Sequence, residues 1–164
     1  MSFLDSTDPK SAGRRPLYCF LLASLAVGAA ASLYTETNLP IWYASLARPS
    51  FAPPAWILPP IWTALYVLMA VAAWRAWKIV HLKSTAMALY ALQLAFTFVW
   101  TALFFGRHQM GIALTALALL VLLRLATFIL FWQKDRLAGL LFLPVMAWAL
   151  FESFLVFAFQ ALNG

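Results

Sequence analysis

The sequence predicts an all-α integral membrane protein, a single bundle of five transmembrane helices, on three observations. The 164 residues are 65% hydrophobic and only 10% charged, with a mean hydropathy of +0.89, which leaves too little polar surface for a water-soluble fold. Five stretches approach or exceed the about 20 apolar residues needed to cross a bilayer. The basic residues between those stretches also alternate between many and few, as the positive-inside rule requires of a multi-pass chain.

The spans are Leu17 to Tyr34, Pro59 to Val80, Thr85 to Phe105, Gln109 to Trp132 and Leu137 to Leu162. Residues 1–16 are polar, carry both charge signs and are expected to form a disordered cytoplasmic tail. Small residues between Ser24 and Ser32 resemble a signal-peptide cleavage region, but no hydrophilic mature domain follows, so the first span is expected to stay in place. The segment from Thr35 to Leu58 is the only connection long enough for a structured loop. The other connections are short and favour an antiparallel bundle of sequential neighbours within one domain, residues 17–164.

Of eleven Lys and Arg, Lys10, Arg14, Arg15, Arg75, Lys78, Lys83, Lys134 and Arg136 fall on one side, Arg48 and Arg107 on the other, and Arg124 within a span. This places the N-terminus in the cytoplasm and the C-terminus in the periplasm of a bacterial cytoplasmic membrane. The net charge of +6 is thereby explained by topology, with no nucleic-acid partner. Cys19 is the only cysteine, which rules out an intrachain disulfide, and His81 and His108 lie on opposite sides, so no metal site is expected. No nucleophile sits beside a base, so hydrolytic catalysis has no constellation to rest on.

In a membrane helix, polar, aromatic and small residues at helical spacing mark the face that meets protein. Trp62, Tyr66, Met69 and Ala73 form such a stripe in the second span. Gln93, Thr97, Trp100 and Phe104 form one in the third, and Trp148, Glu152 and Leu155 share a face in the fifth. Trp74, Trp77 and Trp132 stand beside Arg75, Lys78 and Lys134 and are read as interfacial anchors. Ala88, Ala91, Ala95 and Ala102 line the opposite side of the third span and suggest a close-packed homodimer seam.

Glu152 is the most costly residue, because an intramembrane carboxylate needs a partner, a proton or water. Arg124 is the basic residue deepest in a span, yet counting turns leaves it roughly 12 Å nearer the cytoplasm. Either Arg124 reaches along that distance to Glu152, or Glu152 is protonated or faces a wet cavity while Arg124 snorkels or meets another protein of a larger membrane complex.

Three segments carry a family resemblance: "WYASLARPSFAPPAWILPPIW" (42–62) followed by "LYVLMA", "QLAFTFVWTALFFGRHQMGIAL" (93–114) and "DRLAGLLFLPVMAW" (135–148). In this order and spacing the chain resembles the TspO/translocator-protein family, also called tryptophan-rich sensory proteins or peripheral benzodiazepine receptors. The resemblance implies a commonly dimeric five-helix bundle that binds porphyrin or haem, with no obligatory cofactor, in a pocket capped by the loop after the first helix. It also implies links to carotenoid and bacteriochlorophyll formation in phototrophs and to light-dependent porphyrin degradation, in which Trp62 and Trp148 would carry the photochemistry. Pro49, Pro53, Pro54, Pro59 and Pro60 would stiffen the loop into a lid. Trp42, Tyr43, Phe51 and Trp56 would give that lid an apolar underside above Trp62 and Tyr66.

The ligand set expected on these grounds is Trp42, Trp56, Trp62, Tyr66, Gln93, Thr97, Trp100, Phe104, Trp148 and Glu152. Four positions depart from the family pattern: Thr97 and Val156 stand where asparagine is usual, Val145 where tyrosine is usual, and Glu152 where a small residue is usual. No basic residue follows Arg136, so the sterol-recognition pattern of animal members is not carried over. The readings rank as a membrane binding and regulatory protein for porphyrin-like pigment intermediates, an accessory subunit of a membrane pigment-protein complex, and a photochemical porphyrin-degrading enzyme.

Overall fold

A computed structural model describes residues 14–164. Five long helices run α1 (Arg15–Asn38), α2 (Leu58–Val80), α3 (Thr85–Thr101), α4 (Met110–Lys134) and α5 (Arg136–Asn163), and five segments are long and apolar enough to cross a membrane. α1 takes up Arg15 and Pro16, the end of the segment expected to be disordered; residues 1–13, including Lys10, lie outside the described residues.

Local chemistry sets the helix ends. Pro16 opens α1, and Pro59 and Pro60 open α2, first-turn positions where a missing N–H removes no helical bond. Ser84 caps α3 by accepting from the Met87 amide at 3.3 Å. Asp135 caps α5 through the Leu137 amide at 3.0 Å and accepts from Arg75 Nε at 2.7 Å, joining α2 to the α4–α5 corner. Desolvation pushes the Asp135 carboxyl up, but the Arg75 hydrogen bond and charge and the backbone amides outweigh it and hold the group below its ordinary value.

The first helix runs further than its sequence suggests. After Asn38 the backbone passes into a π-helical turn at Leu39–Tyr43, and the chain leaves helix only after Ser45. Much of the expected loop is therefore helical. Thr35, Thr37 and Asn38 side chains donate to carbonyls one turn back, at 3.3, 2.9 and 2.9 Å, which lets a polar run remain in a helix. α3 likewise ends in a π-helical turn, Ala102–Gly106.

The helices close into a ring ordered α1, α2, α5, α4, α3. Sequential neighbours are thus not uniformly adjacent: α2 packs chiefly on α1 and α5 rather than on α3, which follows it. Toward the end bearing Arg75 and Lys134, hereafter the basic end, one core combines Met69, Ala72, Ala73, Ala76, Trp77, Phe131, Phe142 and Val145. Toward the proline-rich end a second combines Tyr43, Trp100, Phe104, Phe105, Leu117, Leu120 and Phe159. Trp62 and Trp148 pack against both.

Trp77 is 1% exposed and belongs to the first core, not to an interfacial belt. Its place on the Ala70, Ala73, Ala76 face of α2 outweighs its nearness in sequence to Lys78. Trp74 takes Lys78 instead, with the ammonium 3.6 Å from its ring centroid, and Trp132 is surface-exposed as an anchor should be.

Candidate functional site

α1, α2 and α3 line a partly open cavity of about 280 Å³. Trp62 and Tyr66 of α2, Trp100 and Thr101 of α3, and Phe105 beyond α3 supply its aromatic and polar wall. α1 faces them with Gly28, Ala29, Ala31 and Ser32, so the small residues that resembled a cleavage region are cavity wall. Gly28 lies so close to Tyr66 that a Cβ would come within 2.7 Å of the ring. Its missing side chain is what lets that ring lie against α1.

The rings are arranged as a stack. Trp62 and Trp100 have centroids 5.9 Å apart at 30°, and Trp100 and Phe104 5.9 Å apart at 14°. Trp148 meets Trp62 edge-on at 6.4 Å, and Trp42 meets Phe104 edge-on at 5.2 Å from the end of α1. Phe104, Trp148 and Trp42 therefore back the cavity's rings instead of joining its wall of Trp62, Tyr66 and Trp100.

Behind the rings lies a polar level. Gln93, Thr97, Arg124 and Glu152 are all buried, on α3, α4 and α5. Thr97 Oγ1 donates to the Gln93 carbonyl at 2.8 Å and accepts from Arg124 Nη2 at 3.2 Å. The Arg124 guanidinium carbon is 5.9 Å from the Trp62 ring centroid. Several buried atoms have no hydrogen-bond partner: Arg124 Nε and Nη1, both amide atoms of Gln93, Trp100 Nε1, Trp148 Nε1 and Glu152 Oε2. Each such atom costs about 1–3 kcal/mol, and although Tyr43 Oη and Trp74 Nε1 also lack partners, a bundle kept only for stability does not gather most of them on five residues of three facing helices.

Arg124 is 1% exposed and points inward, so it neither snorkels nor offers a docking contact to a neighbouring protein. It also makes no ion pair with Glu152, whose Oε2 is itself unpartnered. The reason is the phase of α4: Ala113, Ala116, Leu117, Leu120, Arg124, Thr127 and Phe131 form its buried stripe, and Arg124 falls on it.

The loop closes the proline-rich end differently from expectation. Asn163 clamps it at Ala47, accepting from the amide at 2.8 Å and donating to the carbonyl at 3.0 Å, and Arg48 Nη2 donates to the Pro53 carbonyl at 2.8 Å. Tyr43 is buried against Phe159, ring centroids 5.1 Å apart, and Trp42 stacks on His108 at 4.3 Å. Trp56, however, is 73% exposed, and Phe51 stacks on Phe154 at the outer surface. Neither belongs to an underside. Ala88, Ala91 and Ala95 are exposed and Ala102 is half-buried, so the alanine face points away from the bundle.

The sequence has relatives of matching length and plan. The model of the TspO/MBR family matches residues 20–162. Protein CrtK of Rhodobacter capsulatus is 35% identical over 147 residues, 88% of this chain and 90% of the relative. The tryptophan-rich sensory protein of Cereibacter sphaeroides is 39% identical over 144 residues, again 88% and 90%, and the translocator protein of Bos taurus is 40% identical over 139 residues, 82% of each chain. With five apolar helices in place and a match across nearly all of them, the chain belongs to the TspO/MBR family of multi-pass membrane proteins.

Proposed function

We propose that this protein binds a flat hydrophobic molecule, porphyrin, haem or a related pigment intermediate, and through it influences tetrapyrrole and carotenoid metabolism. The single observation that supports this most is the cavity walled by Trp62, Tyr66 and Trp100, where stacked indoles offer π surface and Thr101 offers a polar contact. Its volume of about 280 Å³ falls just below that of ligand pockets, about 300–1,000 Å³, so a macrocycle requires one wall to give. α1 is the wall suited to this, since only Pro16, Ser24 and Ala31 of its residues are buried.

The remaining ligand positions, Gln93, Thr97, Phe104, Trp148 and Glu152, act from behind the rings, and Trp42 from the closing turn. An N-terminus in the cytoplasm is supported by Arg75, Lys78, Lys83, Lys134 and Arg136 gathering at one end. The outward alanine face supports a homodimer through α3, and it is also the surface an accessory-subunit role would use. Titrating the purified protein with protoporphyrin IX tests the reading: quenching of tryptophan fluorescence that weakens at least about tenfold in Trp62→Ala is the expected result. Unchanged fluorescence would remove it.

A further inference from the structure

We infer that the buried Arg124 is an anion-binding subsite, so that the ligand this chain selects is a hydrophobic body carrying a carboxylate arm. The inference rests on the proposed ligand site and names the chemistry it prefers. Its ground is the balance of unpartnered groups behind Trp62. The donors without partners are Arg124 Nε and Nη1, Gln93 Nε2, Trp100 Nε1 and Trp148 Nε1; the acceptors are Gln93 Oε1 and Glu152 Oε2. Donors exceed acceptors, and two belong to one fully buried guanidinium whose third nitrogen already holds Thr97 at 3.2 Å.

A group that would satisfy this set must be rich in acceptors and bring none but acceptors. A carboxylate meets both conditions, and the planar fork of a guanidinium matches its two oxygens. Glu152 does not fill the role, having no ion pair with Arg124 and an oxygen of its own unpartnered. Thr97 fixes one edge of the guanidinium from α3, which leaves Nε and Nη1 as the edge for the incoming group. Trp62 both lines the cavity and lies over Arg124 at 5.9 Å. Arg124 itself lies outside the cavity wall, so a ligand stacked on Trp62 reaches the charge with an arm of a few carbon atoms that turns the indole edge aside. Neither the aromatic stack nor the apolar cavity selects for such an arm; Arg124 does.

Two sources share this chemistry, an aromatic macrocycle with carboxylate arms and a fatty acid, and three probes separate them. The full-length protein in detergent micelles is titrated, by tryptophan fluorescence, with protoporphyrin IX, with its dimethyl ester and with oleic acid, in the wild type and in Arg124→Gln and Arg124→Lys. The free acid is expected to bind the wild type at least about tenfold more tightly than the ester, the scale of a charge-assisted hydrogen bond. In Arg124→Gln that preference falls to within about twofold while ester affinity is kept, and in Arg124→Lys, which keeps the charge and loses the fork, it falls at least about threefold.

Equal binding of acid and ester by the wild type overturns the anion subsite and leaves the flat-ligand reading intact. An undiminished preference in both variants also overturns it. Binding of oleic acid that depends on Arg124, with no response to either porphyrin, supports the subsite and overturns the macrocycle instead. Should Arg124→Gln fail to bind even the ester, the wild-type comparison and Arg124→Lys carry the test.

Discussion

The two halves of the bundle solve the problem of lipid immersion in opposite ways. Toward the basic end, Ala70, Ala72, Ala73 and Ala76 are fully enclosed, letting backbones approach as small residues do in membranes. Most polar groups there are matched, Ser24 Oγ with the Tyr90 hydroxyl and Arg75 with Asp135, and Trp74 Nε1 is the exception. Half-way along, the packing changes to large rings around a level of Gln93, Arg124 and Glu152 whose atoms lack partners. Association of helices in lipid relies on close packing and satisfied hydrogen bonds. The first half comes close to meeting both conditions and holds the fold, with one unpartnered atom, Trp74 Nε1, against the several of the second; the second is therefore the half shaped for something other than stability.

The sharpest way to break this contrast is a pair of substitutions. Phe142→Ala in the dense half removes a ring with no exposure and is expected to destabilise by about 3 kcal/mol, the low end for such truncations because lipid, not water, is the alternative surroundings. Gln93→Leu at the polar level removes two unpartnered atoms and is expected to stabilise by about 1 kcal/mol while weakening ligand binding. Thermal unfolding in detergent checks both, and a loss of stability in Gln93→Leu would mean that the polar level is structural after all.

Gly28→Ala is expected to weaken protoporphyrin binding several-fold, about 1 kcal/mol, because the new Cβ, 2.7 Å from Tyr66, drives that ring into the cavity; fluorescence titration reads it. Asn163→Ala removes both bonds to Ala47 and should speed hydrogen exchange across residues 46–54 by about tenfold, with little change in melting temperature.

The smallest effect belongs to Asp135→Asn, which keeps a helix cap but loses the pair with Arg75, for under about 1 kcal/mol at a partly exposed site. Its pH dependence has a definite sign. The folded carboxyl titrates below its ordinary value of 3.8, so its contribution is complete above that value and fades as pH falls through the folded one. The melting difference between variant and wild type should therefore vanish in acid, and a difference that grew on acidification would contradict the pairing.

Much of this was legible in the sequence, for identifiable reasons. The spans stood out because each is an apolar run bounded by charge or proline, and the inward faces of α2, α3 and α5 because polar and aromatic residues recur along them at helical spacing. Depth along α4 does not by itself place Arg124, whereas helical phase does, and the small and hydroxyl residues Ala113, Ala116 and Thr127 at the same spacing carry that phase. For Trp77 likewise, the phase it shares with Ala73 and Ala76 decides its burial, not its neighbour Lys78. α1 yielded least. Its apolar residues show no dominant side, and the contribution of Gly28 depends on where Tyr66 of another helix lies, which no reading of one helix can supply.

The two π-helical turns, Leu39–Tyr43 and Ala102–Gly106, end α1 and α3 at the same extremity of the bundle, where Trp42 meets Phe104 and Phe105. A π-turn amounts to one residue inserted into an α-helix, and one residue turns everything beyond it by about 100°. Deleting a single amino acid within either turn would thus rotate Trp42 or Phe105 out of this junction while the spans below kept their phase. The closure over the site can therefore be recast by the shortest of indels, independently of the bundle that carries it.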